Sequence, residues 1–253
     1  MLADAETIRI GGTGSASPLL QLLGAAHHEL HPDDDVKVMF PPPGSGGGIR
    51  MLASGKLDLA VSGRALKADE KLQAGTIFQL ASTPIVFVGR GLAREHGFTK
   101  NEIADLYAGR LAQWKDGSRV SLILRSEYES ETAQLRTLSP AVDDALRVAH
   151  ERPGMAYAEN DLDTVELLSA TPGSFGTSTL GLLKTTNHAL QIYPLEAVTP
   201  SLQSLAAGKY PLSKPVFLIA NPQPNSSSKR FLEFLRSAAA REILQRNGYL
   251  ATP

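Results

Sequence analysis

The feature that most constrains this fold lies in residues 7–64, where short apolar strands empty one after another into turns of glycine and hydroxyl residues. Thr7-Ile8-Arg9-Ile10 reads as a strand that runs into Gly11-Gly12-Thr13-Gly14-Ser15-Ala16-Ser17-Pro18. Leu19, Leu20, Leu22, Leu23, Ala26 and Leu30 follow at helical spacing, and Pro18 suits a first helical turn because the N–H it lacks has no intrahelical acceptor there. Val36-Lys37-Val38-Met39-Phe40 is a second strand, stopped by Pro41-Pro42-Pro43. Gly44-Ser45-Gly46-Gly47-Gly48 then precedes a helix holding Ile49, Met51, Leu52 and Ala53. Leu57-Asp58-Leu59-Ala60-Val61 is a third strand and ends in Ser62-Gly63-Arg64. This alternation predicts an α/β fold, a mixed, mainly parallel sheet with helices on both faces, whose ligands lie beyond the carboxyl ends of the strands. The turns at 12–17, 44–48 and 62–64 all fall on that edge. Two helices that begin in such turns offer unpaired N–H groups and a partial positive charge to a small anion. Glycine needed only for positive φ would leave the same letters.

The rest of the chain predicts an inserted second lobe. Residues 69–74 read as a short surface helix, 76–81 as a strand, and Thr83-Pro84-Ile85-Val86-Phe87-Val88-Gly89 as a further strand crossing out of the first lobe. Thr99 with Glu102 three residues on forms a capping box ahead of a helix over 100–107. Trp114 is expected to anchor packing rather than to stack on a ligand. A strand over 120–124 ends in Arg125; Glu129-Ser130-Glu131-Thr132 enters a helix, and 140–150 is another. A strand at 155–158, a helix over 161–168 and a turn-rich segment at 171–176 lead to 177–182, read as one more helix or short strand. Strands at 189–195 and 214–220 and helices at 201–207, 228–239 and 240–247 complete the alternation. Lobe I is therefore expected to comprise residues 1–83 plus 178–253 and lobe II residues 84–177, with a hinge and a ligand cleft between them.

Any anion recognition must be local, because 25 lysines and arginines against 26 aspartates and glutamates leave a formal charge of -1 and no global attraction for nucleic acid or an anionic membrane. A chain of 253 residues buries roughly 70–75% of its unfolded surface and needs no staple. It has no cysteine, which excludes disulfides, thiolate nucleophiles and cysteine-bound metal. No apolar stretch reaches the roughly 20 residues of a membrane span. Met1-Leu2-Ala3-Asp4 leads almost directly into the first strand, so the chain is expected either to work in the cytoplasm or to be an exported protein whose leader has been removed. The histidines at 27, 28, 31, 96, 150 and 188 show no zinc-ligand spacing and read as solvated helix positions; neither metal nor cofactor is expected.

The order of these motifs carries a family likeness. The first glycine and serine turn, the helix start Pro43-Gly44-Ser45-Gly46-Gly47-Gly48, the strand end at Ser62, and Arg125 ahead of a serine- and threonine-bearing helix start are similar to the phosphate-type solute-binding proteins of ABC importers. Tyr210-Pro211-Leu212 before a strand, and Phe231-Leu232-Glu233-Phe234-Leu235 with Gly248-Tyr249 after it, extend the likeness over nearly the whole chain. The resemblance implies a two-lobed type II periplasmic-binding-protein fold that closes on an oxyanion, works as a monomer in the periplasm without catalysis, and delivers its ligand to a membrane permease. By motif, Gly14 and Ser15 resemble the first-turn binders, Ser45 and Gly46 the second-helix binders, Ser62 a neighbour of the ligand, and Arg125 the charge-pairing arginine. Ser130 and Thr132 would add hydroxyls, and Arg64 a further charge.

Two departures from the family pattern bear on the ligand. Phosphate-binding members usually carry an aspartate after the third-strand serine, accepting a hydrogen from the protonated anion; here Gly63 and Arg64 follow. The usual Ser-Gly-Thr beyond the arginine is Glu129-Ser130-Glu131-Thr132, with Glu129 at the serine's spacing and Ser130 in the slot if the register slides by one. A carboxylate beside an anion costs several kcal/mol at an effective ε of ~20 and ~4 Å, unless it points away or is protonated.

Each candidate has an ordinary structural role beside the functional one. Arg125 would grip a tetrahedral oxyanion in bidentate fashion or pair with Glu127 or Glu129. Arg64 would charge the site or cross to Glu129 or Glu131 as a latch; Ser45 and Ser130 would cap helices while facing a ligand. Ser178 and Thr179 are expected to form the return hinge.

The function expected is capture of phosphate, with molybdate, tungstate or sulfate behind it. The alternatives are a two-lobed sensory module whose organic ligand pairs an amine with Glu129 and Glu131, and a phosphate-ester enzyme. Against the enzyme, residues 44–48 lack the Gly-Lys-Ser/Thr ending of a P-loop, residues 12–14 lack the third glycine of a dinucleotide turn, and no serine has nucleophile-elbow glycines.

Overall fold

A computed structural model of the protein describes residues 6–71 and 75–252. The chain forms two units, one made of residues up to Ser82 together with those from Pro215 on, the other of Thr83–Lys214. In order, the elements are β1 (Glu6–Gly12), α1 (Ser17–Leu30), β2 (Asp34–Val38), α2 (Gly44–Ala53), β3 (Leu59–Ser62), α3 (Ala68–Lys71) and β4 (Ile77–Gly89). Then come α4 (Lys100–Ala108), β5 (Ser121–Leu124), α5 (Ser130–Arg136), α6 (Pro140–Glu151), β6 (Ala156–Tyr157), α7 (Asp161–Ala170), β7 (Ser174–Thr179), α8 (Leu180–Thr186), β8 (Gln191–Tyr193) and α9 (Leu202–Ala206). The chain ends with β9 (Ser213–Ala220), α10 (Ser226–Phe234), α11 (Ala238–Arg246) and β10 (Leu250–Ala251). Residues 72–74 of the helix expected over 69–74, and residues 1–4, lie outside the described residues.

In unit 1, β1 runs parallel to β2 on one side and to β3 on the other, with Ile8 opposite Val36 and Ile10 opposite Leu59. The last residues of β9 close on β3 in antiparallel sense, Val61 opposite Leu218. Side chains alternate across this sheet. Ile8, Ile10, Leu59 and Val61 pack with Leu19, Leu20 and Leu23 of α1 and Phe231 and Leu244 of α10 and α11. Ala60 and Ile219 face the other way, onto Ile49 and Leu52 of α2. Because both faces are covered, every residue of β3 is buried, and its sequence is apolar without alternation.

The buried stripe of α1 is Leu19, Leu20, Leu23, Gly24 and His27, whereas Leu22 and Leu30, expected on it, are exposed. His27 is thus not the solvated position expected. It lies fully buried with Nε2 2.9 Å from the equally buried Asp34, whose carboxylate also takes Arg230 Nε at 2.9 Å. The hydrogen bonds from Arg230 hold Asp34 well below the usual carboxylate range, while burial lowers the pKa of His27.

In unit 2, β4 carries Ile85, Phe87 on one face and Val86, Val88 on the other. The first pair packs with Ile103 and Tyr107 of α4 and Val142 and Leu146 of α6; the second packs with Val165 and Leu168 of α7 and Leu182 of α8. Trp114 is buried among Phe98, Phe175 and Tyr193 and donates its indole N–H to Gly173 O at 3.0 Å, a packing anchor. Thr99 and Glu102 cap α4 reciprocally, as their spacing predicts.

Three expectations fail here. The strands read at 76–81 and 83–89 are one, β4; its Pro84 forgoes one N–H, while Thr83 Oγ1 accepts Gly181 N–H at 2.9 Å and Ile85 N–H donates to Leu212 O at 3.1 Å on either side of it. The return crossing falls after Lys214, not after residue 177. Residues 178–214 stay in unit 2 because β7 pairs with both β4 and β5, and because Tyr193 and Tyr210 are buried there, Tyr210 donating to Ile85 O at 2.8 Å. Residues 174–176 read as part of a turn, 177–182 as a helix or short strand and Ser178 and Thr179 as a hinge, yet full burial between two strands makes 174–179 one central strand, since neighbours decide β-structure more than intrinsic preference.

Candidate functional site

At the carboxyl edge of the unit 1 sheet, the ends of β1 and β3 and the start of α2 are tied into one cluster. Thr13 N–H donates to Val61 O at 3.0 Å, and Gly63 N–H donates to Ser45 Oγ at 2.9 Å. Two glycines permit this closeness. A Cβ on Gly48 would stand 2.7 Å from Gly12 Cα and 2.8 Å from Gly11 O, and one on Gly12 would stand 1.8 Å from Val61 O. Only glycine lets the backbone of α2 lie against the end of β1, and β1 against β3, at these separations. Ser15 is buried in a single 3-10 turn ahead of α1; its hydroxyl shares a hydrogen with Thr13 Oγ1 at 3.1 Å, and its carbonyl accepts Tyr249 O–H at 2.7 Å.

Ser45 is not the helix cap that the sequence suggests. Pro43 holds the cap position and Ser45 lies one residue inside α2, so its oxygen is turned to Gly63. Having accepted that N–H, the hydroxyl keeps its own hydrogen to donate, beside the first-turn N–H groups of α2 that have no intrahelical acceptor. Ser62, expected as a ligand neighbour, spends its hydrogen on Arg64 O at 2.7 Å and is buried; it shapes the turn. Arg64, expected to charge the site or to latch onto Glu129 or Glu131, forms a two-pronged pair with Glu70, 2.7 Å on each arm. The hydrogen bonds from Arg64 push the Glu70 carboxyl down to about 2. Sequence reasoning missed Thr13 and Tyr249 as supports, and also Arg50, whose exposed guanidinium reaches back one helical turn to within 3.4 Å of where a Cβ on Gly46 would stand. The i, i+4 spacing of Gly46 and Arg50 was the available signal.

Unit 2 gathers charged groups from the carboxyl end of β5, the starts of α5 and α7, and the start of β9. Arg125 is buried, donates Nη1 to Ala158 O at 3.0 Å, and brings Nη2 within 3.3 Å of Glu129 Oε1, the ordinary pairing weighed against ligand binding. Ser130 opens α5 half-buried, and the cap position belongs to Glu129, whose side chain bonds no helix N–H. Thr132 spends its hydrogen on Ser126 O at 2.9 Å. Glu131 does not face a ligand amine: it is buried 3.6 Å from Lys214 Nζ, which also lies 2.6 Å from Asp161. Burial opposes the charge on Lys214, but the two carboxylates outweigh it and raise its pKa. Nothing in the spacing of Glu131, Asp161 and Lys214 announces this cluster.

Among the described residues, no three histidine, aspartate or glutamate side chains gather as a metal site, and no helix is long and apolar enough to cross a membrane.

Comparison with known proteins adds a family to this geometry. The phosphate-binding protein PstS of Borreliella burgdorferi is 22% identical over 256 residues, covering 97% of this chain and 90% of that protein. PstS of Bacillus subtilis is 22% identical over 250 residues, covering 96% of this chain and 80% of its own. Among solved structures, a Clostridium perfringens protein with bound phosphate superposes with a TM-score of 0.81 at 16% identity, covering 98% of this chain and all of that one (100%). An ABC-type phosphate transport receptor from Vibrio cholerae superposes with a TM-score of 0.67 at 20% identity, covering 98% of this chain and 100% of its own. A family profile described as the PBP superfamily domain matches residues 3–239. With nearly its whole length matched, a two-unit α/β architecture and turns gathered at one sheet edge, the chain belongs to the PBP superfamily.

Proposed function

We propose that the protein is the solute-binding component of an ABC importer, capturing a small oxyanion without converting it, and that phosphate is the ligand it takes first. The observation that carries this reading is the unit 1 cluster, where Gly14, Ser15, Ser45 and Gly46 bring hydroxyls and first-turn N–H groups to one place and Ser45 keeps a hydrogen to donate. Such neutral donors replace an anion's hydration without burying a second net charge. Taken by itself, unit 2 also offers donors of the kind an oxyanion takes: the guanidinium of Arg125, anchored through Nη1, and the half-buried hydroxyl of Ser130, while Thr132 holds the loop. Ser62 and Arg64 act indirectly, by fixing the turn that holds Ser45. The PstS relatives, named as phosphate-binding, support the choice of ligand, and the Vibrio cholerae structure, named as an ABC-type phosphate transport receptor, supports a part in transport; in this reading the protein works in the periplasm and hands its cargo to a membrane permease.

Titration calorimetry of the full chain with phosphate, sulfate, molybdate, tungstate and a panel of small amines tests it. Saturable heat with phosphate is expected, lost or weakened at least tenfold in Arg125→Ala. Heat only with an amine would replace the oxyanion by an organic cation. Turnover of a phosphate ester would make the protein an enzyme.

A further inference from the structure

A small cavity lies beside Arg125 within unit 2. Its volume is about 10 Å³, room for roughly one water, and Tyr107, Arg125, Thr132, His150 and Thr177 bring polar groups to its otherwise apolar wall. Most of these groups are unspent. Among the described residues the hydroxyls of Tyr107 and Thr177 have no hydrogen-bond partner, although both side chains are buried. Nε2 of His150 is buried and has none either. The far side of the ring fixes its tautomer. Tyr157 O–H donates to His150 O at 3.2 Å, so the 3.2 Å contact between that same phenol oxygen and Nδ1 needs its hydrogen on Nδ1. Nε2 is then a bare lone pair, on the buried side of a ring that lines the cavity with Arg125.

Such a nitrogen takes up a proton as pH falls, and its surroundings decide how readily. Burial opposes the charged ring most and holds the pKa of His150 below its ordinary value; Glu127 favours the charge, and Arg136, itself paired with Asp143 at 3.0 Å and Glu127 at 3.8 Å, opposes it. The last turn of α6, where His150 stands, favours a cation through the helix dipole. Tyr107 and Tyr157 stay neutral, their pKa values raised by burial, and Glu131 is committed to Lys214. The hydroxyl oxygens of Tyr107 and Thr177 can accept the new N–H. Arg125 is partly spent on Glu129, so an oxyanion placed on it leaves the site with a net negative charge, which a second cation on the same cavity offsets. We propose that His150 is a proton-linked regulator of the oxyanion site: a proton on its ring and an anion on Arg125 each strengthen the binding of the other, so the ligand is held more tightly as pH falls. The assignment rests on the oxyanion reading of the site and adds its regulation.

Two measurements on the full chain decide it. In the first, inorganic phosphate is titrated into the wild type and His150→Gln between pH ~8 and ~5, where the ligand's own titration cancels in the ratio of the two affinities; the wild type is expected to gain at least about threefold on the variant as pH falls. In the second, NMR follows the ring protons of His150 in the wild type, whose titration midpoint is expected to rise by about 1 with saturating phosphate, a coupling of about tenfold seen from the proton's side. The second needs no variant and holds even where His150→Gln does not fold. A level ratio of affinities, or a midpoint that phosphate leaves in place, would overturn the assignment. So would an equal rise at all six histidines, which reports net charge rather than the site. A wild-type chain that bound no phosphate at any pH would instead overturn the oxyanion reading, and this assignment with it.

Discussion

In unit 1 the polar groups at the strand ends are mostly neutral, and close backbone approach sets their positions; in unit 2 they are charged, and partners far apart in sequence hold them. Ser45 is placed by Gly63 and by the packing of Gly48 on Gly12, whereas Glu131 is placed by Lys214, 83 residues along by the numbering. The first arrangement is stiff because any added atom collides with backbone. The second is stable only while every charge keeps its partner, because a buried ion without one pays its full desolvation. The two units should therefore break in different ways.

The largest effect is expected from Lys214→Met. It leaves Asp161 and Glu131 buried without their cation, and urea unfolding should show a loss of about 3–5 kcal/mol. A loss below about 1 kcal/mol would mean that the carboxylates find water or protons instead, and the contrast between the units would weaken. Next comes Gly48→Ala, whose new methyl must push α2 off β1 or bend both. A cost of about 1–3 kcal/mol is expected, together with a fall in phosphate affinity, because Ser45 and Gly46 ride on the displaced helix. Unchanged binding in this variant would separate the cluster from the ligand. Ser45→Ala should be milder in stability, about 1 kcal/mol for one neutral hydrogen bond to Gly63 N–H, yet lower phosphate affinity by roughly tenfold in calorimetry.

The smallest expected effect concerns pH and belongs to neither cluster. His27 has a folded pKa below its ordinary 6.5, so between those two values the unfolded chain binds more protons and stability falls as pH drops. Asp34, held low by Arg230, acts in the same sense further down, its contribution being lost as pH falls below the ordinary carboxylate range. Melting curves should thus show a decline on acidification from pH ~7 toward ~5 that His27→Gln, which can still donate to Asp34 but does not titrate, makes shallower. An identical slope in the variant would place the proton uptake elsewhere.

What could be read from the sequence follows the same division. The unit 1 turns were legible because glycine and serine between an apolar strand and an apolar-periodic helix have few other uses, and the capping box of Thr99 and Glu102 was legible because its partners are three residues apart. Arg125 was legible as a residue type at a strand end. Its pairing with Glu129 stood only as one of two readings, since exposure and hydrogen bonding decide between them. Glu131, Asp161 and Lys214 were not legible as a group, because their meeting depends on the order of strands. The same holds for His27, where a charged partner and Arg230 nearly the length of the chain away turned a surface-looking residue into a buried one. The strand β7 was only half legible, with 171–176 read as a turn and 177–182 as a helix or short strand, because the small and hydroxyl-bearing residues on either side of Phe175 look like a turn until two neighbouring strands enclose them.

The central claim, that the neutral donors of unit 1 hold an oxyanion, is tested most directly by the melting temperature of the full chain across a phosphate series, wild type beside Ser45→Ala. A ligand that binds only the folded form raises stability with the logarithm of its concentration, by about 2.7 kcal/mol at a hundredfold excess over Kd. The account predicts a steady rise for the wild type and the same slope displaced to higher phosphate for Ser45→Ala. A flat wild-type curve up to millimolar phosphate, or two curves that coincide, would contradict it.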